Sequence, residues 1–168
     1  VITSNEDNCA VTYVPNGQYK TSVEWGDSRA CADLECFLTG YSDPRLSAYF
    51  KPAKQFTTRT IIGCLAGAKI ENKTIADKLY SEAKVDKNTR GVWLTAAEMA
   101  FCRAEGALAG WSGMGGTVED LYNRAISLSF EQWGLGSASS YLSNNTNTQA
   151  NYTDADGGYG QNVAAVSS

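Results

Sequence analysis

Residues 93–134 constrain the fold of this chain more than any other stretch. Thr95 and Glu98 form a T-x-x-E capping box, whose hydroxyl and carboxylate satisfy amides that a first helical turn leaves unpaired. The helix that follows carries Ala97, Phe101, Ala104 and Leu108 on one stripe, with Ala100 beside it, and Gly110 closes it. The linker Trp111–Gly116 holds three glycines, after which Thr117 and Asp120 start a second helix. That helix turns Leu121, Tyr122, Ala125, Leu128 and Ser129 inward and ends at Trp133-Gly134. Two amphipathic helices on a short glycine-rich link predict an antiparallel helical hairpin. Alanines on the facing stripes allow the close approach seen in tetratricopeptide-like units. A hairpin alone leaves one face of each helix uncovered, so it requires partner helices.

The rest of the chain is less regular. Residues 1–22 are polar, with a Pro15-Asn16-Gly17 turn signal. Ser28 is placed to cap a helix running to about Thr39, with Leu34, Phe37 and Leu38 on one face and Gly40 as its stop. Asp43-Pro44 then reads as a cap followed by proline at the first helical position. The short helix it starts carries Leu46, Tyr49 and Phe50 and ends before Pro52. The Thr- and Ile-rich run Gln55–Cys64 reads as a strand, broken by Gly63 and Gly67. Residues 70–91 read mostly as loop, with a helical turn near Ala76–Ala83. Residues 135–168 shift to Ser, Asn, Thr, Gly and Ala, forming a long irregular polar segment of the kind that often carries binding function. The chain opens on Val1-Ile2-Thr3-Ser4 with no signal-peptide pattern, and it has few strong elements for its length. It reads as one partial domain over 1–168, a piece of something longer.

Composition removes several classes of function. With 43% hydrophobic and 19% charged residues the chain is globular rather than disordered. A net charge of −4, with Lys and Arg scattered, argues against binding nucleic acid. No run approaches 18 apolar residues, so no membrane-spanning helix is expected. There are five cysteines and no histidine, and no CxxC pair occurs, which argues against a zinc site. The odd count leaves at least one cysteine unpaired within a chain; Cys31 and Cys36 fall on different faces of a helix, and Cys102 reads as a small core residue. The run Asp154-Ala155-Asp156-Gly157-Gly158 resembles the start of a calcium loop but lacks the third acidic ligand, the sixth-position glycine and the closing glutamate. No G-x-S-x-G elbow, P-loop or dinucleotide fingerprint is present. Accidental pairs among 18 acidic residues are weak grounds for a glycosidase. No catalytic residue, metal ligand or cofactor site is expected.

Three stretches, in order, carry a family resemblance. The first runs from Asp27 to Leu38 and continues as Gly40-Tyr41-Ser42-Asp43-Pro44-Arg45-Leu46 with Tyr49-Phe50. The second is Trp93-Leu94-Thr95-Ala96-Ala97-Glu98 with Arg103-Ala104-Glu105-Gly106-Ala107-Leu108 and Gly110-Trp111. The third joins Gly115-Gly116-Thr117, Leu121-Tyr122, Ala125-Ile126 and Ser129–Gly134. Together they resemble the SusD/RagB family, in its SusD-like branch, over roughly residues 23–134 and more loosely to the end.

The resemblance implies an all-α, tetratricopeptide-like fold with long irregular loops and room for a short strand pair. It further implies a lipid-anchored outer-membrane protein on the cell surface of Bacteroidetes-type bacteria. Such a protein captures oligosaccharide or polysaccharide without catalysis and hands it to a TonB-dependent, SusC-like transporter. A peptide-binding member of the family and a helical-repeat scaffold for protein partners are the alternatives. The lipid anchor is expected outside this chain, and none of its cysteines is assigned to it. The matched motifs read as scaffold: Glu98 as a cap, Asp43-Pro44 as a helix start, Arg103 and Glu105 as a solvated face or partners of a neighbouring helix.

Glycan capture calls for aromatic platforms, because the C–H faces of sugars stack on rings while their hydroxyls seek polar groups. Trp25 before Gly26-Asp27, Tyr41 in a turn, Trp111 at the glycine-rich link, and Tyr152 and Tyr159 in the polar tail are the candidates for ligand binding. Trp93 and Trp133 read instead as rings packed on helices.

Overall fold

The computed structural model describes residues 2–55, 60–68 and 70–150. Among them are seven helices and a two-stranded sheet, so the mainly helical expectation, strand pair included, holds. The described residues divide into two compact units, 2–12 with 90–145 and 13–89 with 146–150.

The first unit is built on the hairpin. Helix α5 spans Ala96–Leu108 and α6 spans Val118–Gln132. Thr95 Oγ1 accepts the Glu98 amide at 3.0 Å, and Thr117 Oγ1 accepts that of Asp120 at 3.1 Å, so both starts are capped by their threonines, while the reciprocal Glu98 half of the expected capping box is not formed. Ala96, Ala97, Ala100, Ala125 and Leu128 form the buried seam, and Ala125 is fully enclosed. Small residues there let the helices approach closely. Phe101 and Tyr122 meet edge to face, centroids 5.4 Å apart, along the margin. Two inward assignments are corrected: Leu108 is 75% exposed in the last turn of α5, and Tyr122 is half exposed beside Phe101. The stripe narrows because alanines fill the seam and leave larger side chains at its edges.

Strands β1 (Cys9–Val11) and β2 (Gly91–Leu94) pair antiparallel, Ala10 opposite Val92 and Val11 opposite Gly91, with an irregularity between Cys9 and Ala10. The N-terminal segment also ties the hairpin together. Asn8 Oδ1 accepts the Ala96 amide at 2.7 Å, and Asn5 Nδ2 donates to the Leu128 carbonyl at 2.9 Å. Helix α7 (Ser139–Leu142) shortens the irregular segment expected from residue 135, and Tyr141 packs on Phe130 with centroids 5.3 Å apart.

The second unit has shorter elements. Buried Asn16 caps α1 (Gly17–Tyr19), accepting the amides of Gln18 and Tyr19, and a π-helical turn Lys20–Glu24 follows. Helix α2 spans Ala32–Gly40, α3 Arg45–Tyr49 and α4 Lys73–Leu79. The core gathers Ala53, Ile62, Ala76, Leu79 and Tyr80. Several expectations are corrected here. Helix α2 starts at Ala32, because Ser28 lies outside regular structure and its carbonyl is engaged by Ser22 and Arg29. Its buried face is Ala32, Glu35, Cys36 and Leu38, while Leu34 and Phe37 face out. The residue with positive φ after it is Ser42 (51°), not Gly40. Where 70–91 reads as loop, α4 begins three residues before the expected turn, capped by Asn72 Oδ1 accepting the Ile75 amide at 3.1 Å. The expected strand Gln55–Cys64 lies partly outside the described residues; Thr60 is a bend, Ile61–Gly63 have no regular structure, and Cys64 makes one parallel bridge to Cys31.

Candidate functional site

A cleft of about 550 Å³ opens in the second unit, between the chain entering α2, the segment around Cys64 and the start of α4. Gly26, Arg29, Cys31, Cys64, Ile70 and Lys73 are among its walls. Gly26 has φ of +71°, and a Cβ there would lie 3.2 Å from an Arg29 guanidinium nitrogen, so glycine is needed where the chain folds over that side chain. Arg29 is held by its own unit: one nitrogen donates to the Ser22 carbonyl at 2.8 Å, another to Asp77 Oδ1 at 2.9 Å. Lys54 joins Asp77 at 2.6 Å, and Lys73 pairs with Asp27 at the rim.

Trp25 stands one residue before this wall and is 52% exposed. Its amide closes the π-helical turn on the Lys20 carbonyl at 2.7 Å, and its own carbonyl accepts Lys73 Nζ at 3.2 Å. The Lys20 ammonium lies 5.7 Å from the indole centroid, a cation–π contact that holds the ring without burying it. Tyr41, at the end of α2, stacks on Phe37 with centroids 6.5 Å apart, and both rings reach solvent. The Tyr41 carbonyl accepts Asn147 Nδ2 at 3.0 Å. Phe37 was missed in the sequence because its spacing puts it with Leu34 and Leu38 on an apolar stripe that only Leu38 buries.

Trp111 belongs to the first unit and is 68% exposed, yet it leans on α5: a Cβ on Gly106 would lie 3.2 Å from its ring and 2.6 Å from Met114 Sδ. Arg103 Nε donates to the Met114 carbonyl at 2.6 Å, fixing the link between α5 and α6. The expectation of a solvated face for Arg103 is therefore corrected; it is a tie within the hairpin. Trp93, expected to pack on a helix, is 72% exposed on β2, where a two-stranded sheet gives its ring no opposing layer. Trp133, the cap of α6, is also partly exposed. Tyr152, Tyr159 and the Asp154–Gly158 run lie outside the described residues.

The buried carboxylates are engaged in structure. Asp43 takes the Arg45 guanidinium, and Glu35 Oε2 accepts the Gly63 amide at 2.7 Å. Among the described residues no three His, Cys, Asp or Glu side chains converge as a metal site, and no helix is long and apolar enough to cross a membrane. Cys102, expected in the core, is exposed on α5, since the seam is taken by Ala97, Ala100 and Ala104. Among the described residues the geometry offers helices with stacked or steadied aromatic rings at the surface and a cleft rimmed by Asp27 and Lys73.

That combination describes a helix-pair scaffold, and comparison with known proteins makes the class specific. The family described as SusD-like, "Susd and RagB outer membrane lipoprotein", matches residues 1–168, and the chain belongs to it. A SusD homologue from Bacteroides thetaiotaomicron VPI-5482 is 35% identical with a TM-score of 0.84, covering 92% of this chain and 32% of that one. A chitin-binding SusD homologue from Flavobacterium johnsoniae is 37% identical with a TM-score of 0.82, over the same shares of the two chains. A SusD homologue from Bacteroides uniformis ATCC 8492 is 32% identical at a TM-score of 0.79, covering 99% of this chain and 36% of that one. The chain thus spans about a third of the length of the solved structures it matches. No curated protein gives a significant sequence match.

Proposed function

We propose that this chain forms part of a non-enzymatic cell-surface protein, anchored by lipid to the outer membrane, that captures oligosaccharide or polysaccharide. The captured glycan passes to a TonB-dependent, SusC-like transporter. The observation that carries this reading is membership of the SusD-like family, together with 37% identity to a homologue that binds chitin. The exposed rings agree with it. Trp25 beside the cleft and the stacked Phe37–Tyr41 pair offer apolar faces next to polar groups, as sugar binding requires. Lys73 and Asn72 at the cleft supply hydrogen-bond donors for hydroxyls. The scaffold residues Asp43, Arg45, Glu35 and Arg103 are all engaged in holding the fold, which is consistent with binding rather than chemistry.

The test is calorimetric titration of the protein with chitin oligosaccharides and a panel of glucans, fructans and peptides, alongside size analysis of the incubated polysaccharides. Saturable glycan binding with chain length unchanged supports the reading. Binding confined to peptides, or shortened glycan, would overturn it.

A further inference from the structure

We infer that Cys31 and Cys64 form a disulfide pair when the protein meets a small-molecule disulfide. They are partners in a parallel backbone bridge: the Cys64 amide donates to the Ala30 carbonyl at 2.7 Å, and the Cys64 carbonyl accepts the Ala32 amide at 2.9 Å. Residues so bridged have Cα atoms about 4.8 Å apart and side chains on the same face. That lies inside the roughly 4.4–6.8 Å range that disulfides span. Both cysteines line the same cleft; Cys31 is exposed and Cys64 half-buried, so a small reagent reaches the pair from solvent.

The segment carrying Cys64 is pinned against the start of α2 before any bond forms. Gly63 lies so close that a Cβ there would be 2.5 Å from the Cys31 carbonyl oxygen, and the Gly63 amide donates to buried Glu35. Cys31 Sγ lies 3.9 Å from the Asp33 carboxylate, and Cys64 Sγ lies 3.6 Å from the Leu65 carbonyl. Such weak thiol contacts are given up easily when the sulfurs turn toward each other. No other two cysteines among the described residues face across a backbone bridge.

The step is thiol–disulfide exchange. The exposed Cys31 thiolate attacks one sulfur of a disulfide such as oxidised glutathione, and one glutathione thiolate leaves. Cys64 as thiolate then attacks the Cys31 sulfur and expels the second. The two protein thiols are oxidised, the small disulfide is reduced to two thiols, and the protons lost by the cysteines go to them. The product ties the chain entering α2 to the segment 60–65 and fixes one wall of the cleft.

The full protein, purified reduced, is treated with oxidised glutathione, blocked with an alkylating agent and mapped by mass spectrometry without reduction. The expected result is a joined peptide pair carrying Cys31 and Cys64, lighter than the sum of its parts by two hydrogens. Exposed Cys9 and Cys102 report that the reagent acted, by carrying glutathione. The melting temperature should rise by roughly 5–15 °C on oxidation, as expected when a loop of this size is closed. The rise should vanish in Cys64→Ser. Glutathione or alkyl groups found separately on Cys31 and Cys64 of the wild type would overturn the inference, and that readout needs no variant to fold.

Discussion

The buried Asp43 carboxylate holds the residue two places on: it accepts the Arg45 amide at 2.9 Å and the Arg45 Nε at 2.9 and 3.1 Å, with a further bond from the guanidinium terminus. Pro44 between them fixes φ near the helical value, −66° here, so the three residues start α3 and clamp it in one device. The Asp43 amide donates in turn to the Leu38 carbonyl at 2.7 Å, joining the end of α2 to the start of α3.

Removing one member of a buried pair leaves the other charge uncompensated, which costs about 3–5 kcal/mol. Asp43→Ala is expected to lower unfolding stability by that amount in urea titration. Asp43→Asn, which keeps an acceptor for the Arg45 amide, should lose less. A loss under about 1 kcal/mol for Asp43→Ala would show that the clamp is dispensable.

The hairpin seam makes a second prediction. Leu128 is almost wholly buried among the alanines of α5. Leu128→Ala leaves a cavity that rigid helices cannot close, at a cost of about 2–5 kcal/mol. Ala125→Leu adds volume where none is free and should cost about 1–3 kcal/mol. Both are measured by chemical denaturation, and neither should change glycan affinity per folded molecule.

How much of this was legible depends on how local the cause was. The caps at Thr95 and Thr117 were readable because each is settled within four residues, and the Asp43-Pro44 start was read one residue early, since α3 begins at Arg45 with Pro44 at its cap. The inward stripe of α6 was readable from its period, apart from Tyr122. Helix α4 was hidden because Lys73–Leu79 is short and its stabilising contacts come from Ala53 and Ile62, far along the chain. The direction of α2 was misread because its buried face carries Glu35 and Cys36, chosen by Gly63 and the tail rather than by hydrophobicity. At the site, single aromatics could be nominated from their polar neighbours, but nothing in one sequence tells that Phe37 stacks on Tyr41 or that Gly26 folds over Arg29.

Gly40 illustrates a constraint of this distant kind. A Cβ there would lie 2.1 Å from the Thr148 carbonyl oxygen and 2.2 Å from the Ala150 amide nitrogen, and that amide donates to the Cys36 carbonyl at 3.0 Å. Both clashes are with backbone, so the tail must move if a methyl group is added. Gly40→Ala is expected to release residues 146–150 from the end of α2. Faster amide exchange at Ala150 and earlier proteolytic cleavage near it would show this, with α5 and α6 unaffected.

Asp7 gives a pH prediction with a definite sign. The amides of Thr3 and Ser4, at 3.1 Å each, and the Ser4 hydroxyl hold its carboxyl below the ordinary aspartate value. A group whose value is lowered on folding contributes stability that is present above the unfolded value, near 3.8, and is lost as pH falls through the folded one. Carboxyl NMR titration should therefore place Asp7 below an unstructured aspartate. Asp7→Asn should remove this part of the acid sensitivity while leaving stability near neutral pH with the same slope as the wild type.

Trp25 carries the prediction that bears most directly on glycan capture. Its ring is held by Lys20 and its backbone by Lys73, yet half its surface remains open beside the cleft, so little folding energy depends on the indole. A stacking platform of this kind loses its ligand contact when truncated, and a central interface ring is worth more than about 1.4 kcal/mol, or tenfold in Kd. With a glycan that the wild type binds in calorimetry, Trp25→Ala should weaken binding at least about tenfold while its melting temperature stays within a few degrees. Trp25→Phe should recover part of the loss, since a smaller ring still offers an apolar face. Trp111→Ala serves as the contrast: its ring lies against Gly106 on the helical hairpin, so it should shift stability first. Equal affinity in Trp25→Ala and wild type would remove Trp25 from the site and move the search to the Phe37–Tyr41 stack.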